Sequence, residues 1–135
     1  MPRIFLHAGT HKTGTTTIQR ALFANREMLA SNGIWYDPGA DLFGGTRHAA
    51  ISFAHQLAYA DDVATDTRFQ TYRERIEHAL SEGQDIIISA EPLYRMVMGG
   101  GSSAPRPEAL TSRVFLAFSK GCPYSPSSPF VVRID

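Results

Sequence analysis

The densest run of reactive side chains is His7-Ala8-Gly9-Thr10-His11-Lys12-Thr13-Gly14-Thr15-Thr16-Thr17. Two glycines, one lysine and five threonines offer closely approachable backbone N–H groups, hydroxyls and a single ammonium. Such a set suits a compact anion, and phosphate is the usual one. The apolar run Ile4-Phe5-Leu6 leads into it and an amphipathic pattern from Ile18 follows it. The order is therefore strand, loop, helix. A helix N-terminus placed this way favours a bound anion by about 0.5–2 kcal/mol through its dipole. Glycine and threonine also occur in ordinary strand-to-helix turns. Lysine, however, occurs in this chain only at positions 12 and 120, which sets the loop apart from a turn of small residues.

The position of the lysine bears on which phosphate compound fits. A Walker A loop reads G-x-x-x-x-G-K-[ST], with lysine directly after the second glycine. Gly9 and Gly14 keep that gap, but Thr15 and Thr16 follow, and the lysine lies inside the loop at position 12. Thr16 retains a hydroxyl ligand. The ammonium that would bridge the terminal phosphates of ATP or GTP is missing, which argues against a nucleotide kinase or NTPase.

The string Gly-Thr-His-Lys-Thr-Gly-Thr-Thr-Thr-Ile-Gln at 9–19 resembles the 5′-phosphosulfate loop of the sulfotransferases, above all their bacterial branch. Asn25-Arg26, Leu29 and Gly33-Ile34-x-Tyr36 extend the likeness, and Ser89-Ala90-Glu91 is similar to a Ser-x-Glu string of that branch. The resemblance is strong over 3–36, fair around 85–94 and weak elsewhere. It implies a P-loop NTPase-like α/β fold and transfer of a sulfuryl group from 3′-phosphoadenosine 5′-phosphosulfate to a hydroxyl or amine. It places Lys12 at the 5′-phosphosulfate. It makes Gly9, Thr10, Thr13, Gly14, Thr15, Thr16 and Thr17 the holders of the phosphosulfate oxygens, with His11 as a further contact or a side chain pointing to water. Arg133, in Val131-Val132-Arg133, corresponds to a 3′-phosphate ligand, and also fits as the solvent-facing arginine of a terminal strand.

Physical chemistry supports the role given to Lys12. Negative charge grows on the oxygen that leaves with the nucleotide, and an ammonium aimed at it stabilises the transition state more than the ground state. This needs no metal. Glu91 is the candidate general base for the acceptor proton, since a strand end can mount a carboxylate within the roughly 2.6–3.2 Å that proton transfer needs. It also fits as an acid at the first turn of a helix begun by Pro92. His7 reads as packing, and His78 as solvated. His48 and His55 share one helix face without a cysteine or carboxylate to complete a metal set.

The elements that position these groups follow from periodicity. A strand is expected over 3–8 and one helix from Thr16, with Ile18, Ala21, Leu22, Met28 and Leu29 on a single face, ending at Asn32-Gly33. Ile34-Trp35-Tyr36 reads as a short strand, followed by a turn at Asp37-Pro38-Gly39. Helices are expected over 48–60 and 66–82, the second with Phe69, Tyr72, Ile76 and Leu80 on one stripe. The apolar run 85–90 suits a central parallel strand. Ligands of such sheets sit beyond the carboxyl ends of strands, so if the strands at 3–8 and 85–90 are neighbours, Glu91 faces the loop across the crevice.

Formal charge is zero, which gives no electrostatic footprint for nucleic acid. One cysteine excludes an internal disulfide and suits a reducing, cytoplasmic setting. No stretch approaches the roughly 20 apolar residues of a membrane span. The expected partners are a small-molecule or carbohydrate acceptor and, through exposed strand edges, further copies of the chain. Residues 1–98 form the expected phosphosulfate-binding core, 99–129 a flexible Gly/Ser/Pro-rich segment with a short strand at Val114–Phe118, and 130–135 a terminal strand. Family chains run well beyond this length. The expectation is an incomplete fold, either a truncated nucleotide-binding domain without catalysis or one that closes through a partner chain.

Overall fold

A computed structural model describes residues 2–7, 14–59 and 62–92, together with the backbone of 130–133. In chain order the elements are β1 (Ile4–His7), α1 (Thr15–Ala24), α2 (Arg26–Ser31), β2 (Ile34–Trp35), α3 (Ala40–Phe43), α4 (Ile51–Tyr59), α5 (Thr67–Ser81), β3 (Asp85–Ser89) and β4 (Phe130–Arg133). The strands form one parallel sheet in the order β2-β3-β1-β4. This is the α/β arrangement expected from the sequence. Ile4 to His7 stand opposite Ile86 to Ser89 on one side and Phe130 to Arg133 on the other.

The chain crosses the sheet one way from β1 to β2 and the other way from β2 to β3. Right-handed crossovers then place α1 and α2 on one face and α3 to α5 on the other. The alternation of β3 agrees. Ile86 and Ile88 pack into a core with Ile4, Phe43, Phe53, Leu57, Phe69, Tyr72 and Ile76. Ser89, pointing the opposite way, meets Gln19 of α1. Phe43, Phe53, Phe69 and Tyr72 form a ring cluster, with the Phe53 and Tyr72 centroids 4.8 Å apart.

Helix α5 follows its periodic pattern closely: Phe69, Tyr72 and Ile76 are buried, and Leu80 packs at the margin. Asp66 caps it by accepting the Arg68 N–H at 2.9 Å. Helix α4 begins later than the expected 48–60, because residues 48–50 are tied to the sheet instead. The Ala50 N–H donates to the Ser89 carbonyl at 2.9 Å, and the Tyr36 hydroxyl donates to the His48 carbonyl at 2.5 Å. The turn at Asp37-Pro38-Gly39 continues into α3, one helical turn that periodicity does not signal. Gly39 is left-handed there (φ 69°), and a Cβ would stand 3.1 Å from the rings of Phe43 and Tyr72.

Two corrections concern the first helical unit. The single helix expected from Thr16 is broken at Asn25, whose backbone leaves helical geometry (φ −104°, ψ 16°). Its Nδ2 donates to the Ala21 carbonyl at 2.8 Å, a local bond that competes with helix continuation. The apolar face of this unit is also not its buried face. Ile18 is 47% and Met28 57% exposed, along an open groove shared with Ala21, Leu22, Asn25 and Leu29. The side chains α1 buries are Thr15 and Gln19. The reason lies beneath the helix, where the sheet presents the polar ends of His7 and Ser89, which require hydrogen-bonding partners. The segment 99–129 with its expected strand at 114–118, and the end of the expected strand at Ile134-Asp135, lie outside the described residues.

Candidate functional site

β1 ends at His7 and β3 at Ser89, side by side. The Ala90 N–H donates to the His7 carbonyl at 3.0 Å, which carries the pairing past the strand ends. Among the described strands, those that next follow β1 and β3 in the chain, β2 and β4, lie at opposite edges of the sheet. The space above the pair is a topological switch point, where open α/β sheets hold their ligands.

Helix α1 starts at this edge. Gly14 precedes it in left-handed geometry (φ 74°), and among the described residues no side chain caps the helix. The Thr17 and Ile18 N–H groups both return to the Gly14 carbonyl, at 3.0 and 3.3 Å. The Thr16 N–H, ahead of them, has no carbonyl partner within the helix. Thr16 and Thr17 are exposed, whereas Thr15 is buried against the sheet.

Below this end lies a buried polar cluster centred on the Ser89 hydroxyl. His7 Nδ1 is 2.7 Å from Ser89 Oγ, and Gln19 Nε2 donates to the same oxygen at 3.1 Å. The Tyr36 phenol completes the cluster. Burial pushes its ionisation above the ordinary tyrosine range, and its hydrogen bond with Ser89 opposes that shift. Ser89, Gln19 and Tyr36 are 0%, 2% and 5% exposed, so water has little access to these bonds.

Of the residues expected to form the site, Gly14, Thr15, Thr16 and Thr17 stand at the start of α1. Glu91 lies in the turn after β3, half-buried and two positions beyond Ser89. β1 and β3 are neighbours, which is the condition on which the placement of Glu91 depended, and the turn carrying Glu91 follows the strand that pairs with His7. Gly9, Thr10, His11, Lys12 and Thr13 lie outside the described residues. Arg133 occupies the register position beside His7 on β4, and its side chain also lies outside them. His48 precedes α4 rather than sharing a helix face with the exposed His55. Among the described residues no three His, Cys, Asp or Glu side chains cluster as a metal site.

Sequence reasoning passed over Ser89 as a hub and Gln19 as a buried residue. The available signals were a hydroxyl ending the run Ile86-Ile87-Ile88 and two polar residues, Thr15 and Gln19, four apart on one helix face. No protein-family model, curated protein or solved structure matches this chain.

Proposed function

We propose that the chain is a sulfotransferase-type P-loop domain that binds 3′-phosphoadenosine 5′-phosphosulfate and passes its sulfuryl group to a hydroxyl or amine acceptor. The observation that carries this reading is the Gly-Thr-Lys sequence at 9–17, set between the end of β1 and the start of α1. The switch point above β1 and β3 supports it, because the turn bearing Glu91 leaves the same edge.

In this reading the Gly14–Thr17 segment holds phosphosulfate oxygens and Lys12 faces the oxygen that leaves with the nucleotide. The acceptor oxygen or nitrogen attacks sulfur in line as the sulfur–oxygen bond to the 5′-phosphate breaks, and Glu91 takes the acceptor proton. Charge growing on the leaving oxygen is met by Lys12, by backbone amides and by the helix end.

Calorimetric titration with 3′-phosphoadenosine 5′-phosphate tests the site, with ATP–Mg²⁺ as competitor. The expected result is micromolar binding that ATP–Mg²⁺ does not displace and that Lys12→Ala weakens at least tenfold, about 1.4 kcal/mol or more. Absence of binding by folded protein withdraws the reading. Sulfuryl transfer to a phenol or sugar separates an enzyme from a domain that only binds.

A further inference from the structure

We propose a second binding site, a carbohydrate cleft between Phe23 of α1 and the segment that carries α3, with Asp37, Asp41 and Arg47 as its hydrogen-bonding groups. It uses no residue of the 9–17 loop and stands whether or not the chain binds the phosphosulfate.

The sheet is parallel, so the chain leaves β2 at the same edge as it leaves β1 and β3. Ligands of such sheets gather beyond that edge. Two residues past the end of β2, Asp37 opens a cleft of about 410 Å³, lined also by Phe23, Pro38, Ala40, Asp41 and Arg47. That volume suits a small organic molecule rather than a single ion.

The polar wall is fixed from beneath. The buried Tyr72 hydroxyl donates to the Asp37 carbonyl at 2.6 Å, and the Gly39 N–H donates to Asp37 Oδ1 at 2.8 Å. Arg75 of α5 donates to Asp37 Oδ2 at 3.0 Å and to the two Asp41 oxygens at 3.0 and 2.5 Å. Little ordering of these groups is left for a ligand to bring about.

As carboxylates, Asp37 and Asp41 can only accept, and Arg47 can only donate. Asp41 keeps 59% of its side chain exposed beside Arg75. Arg47 is exposed, and among the described residues it has no hydrogen bond or ion pair. A ligand must therefore offer donors to the aspartates and acceptors to Arg47, and a hydroxyl group does both. Two carboxylates and the guanidiniums of Arg75 and Arg47 leave the cleft without net charge, which favours a neutral ligand over an ion. Phe23, Pro38 and Ala40 supply an apolar wall for the C–H face of a sugar ring. A flat nucleobase is less suited, because the Arg26 guanidinium stands 4.6 Å from the Phe23 ring centroid and takes one stacking face.

The test is ¹H–¹⁵N correlation spectroscopy of the chain titrated with the methyl glycosides of glucose, galactose and mannose, with adenosine and spermidine in parallel. At least one glycoside should move the Phe23, Ala40 and Asp41 amide signals saturably, with a Kd of about 1–10 mM. Arg47→Ala should weaken that binding about fivefold or more, the loss of a charge-assisted hydrogen bond. Its spectrum should otherwise match wild type, since the side chain it removes is exposed. Unmoved signals with every glycoside overturn the proposal, as does equal affinity in Arg47→Ala. Signals moved by adenosine or spermidine and not by the glycosides overturn the carbohydrate class.

Discussion

Ser89 shows how much one hydroxyl can carry. It joins the last residue of β1, the second turn of α1 and the segment after β2, all at the edge where β1 and β3 end. Removing it leaves Gln19 with a buried donor and no route to water, while half-buried His7 can still be solvated. Ser89→Ala should therefore cost about 1–3 kcal/mol in urea denaturation, the usual penalty of an orphaned buried donor. A loss within experimental error would mean that the cluster is replaceable and places nothing. Ser89 was visible in the sequence only as part of Ser89-Ala90-Glu91, because a hydroxyl at a strand end carries no mark of what lies beside it.

The contrast between α1 and α5 sets out the helical elements. In α5 the period of apolar residues coincides with the buried face, and an aspartate stands at the cap. Asp66→Ala should lower stability by about 1 kcal/mol, the typical loss of an N-cap. In α1 the period is present, but the apolar stripe faces an open groove. Ile18→Ser should then shift stability by less than about 0.5 kcal/mol, as exposed substitutions do. Phe53→Ala, in the ring cluster, should cost about 3–5 kcal/mol. Comparable losses from the two would show that Ile18 is covered in solution. Periodicity identified both helices, but it could not say which face the sheet would require, since that depended on the polar ends of His7 and Ser89.

Across the whole molecule, ionisation limits stability at both ends of the pH scale. Hydrogen bonds from Arg75 and Arg68 hold the Asp41 and Asp66 carboxyls below the usual range. The unfolded chain, with aspartates near about 3.9, takes up protons first as pH falls. The stability these groups confer is complete at neutral pH and is lost from about pH 5 downward, and as mostly exposed pairs they supply about 0–1 kcal/mol each. Burial raises the Tyr36 and Tyr72 phenols, so the folded chain keeps protons that the unfolded chain releases above about pH 10. Thermal melts should show a plateau between these limits. Asp41→Asn should flatten the acid limb, and an unchanged acid limb would count against the Arg75 clamp.

Locally coded properties were settled by the sequence alone: a parallel α/β arrangement, a buried β3, the extent of α5, and a helix starting directly after a run of glycines and threonines with one lysine. Each follows from residue type and spacing over a few turns, where sterics and periodicity act. Tertiary structure alone decided the break at Asn25, the exposure of the Ile18 stripe and the assembly of His7, Gln19 and Tyr36 around Ser89. Those outcomes depend on partners far apart in the chain, such as the contacts of Ser89 with Gln19 and His7 across 70 and 82 residues. The need of a buried hydroxyl for partners arises only once the sheet has brought those strands together.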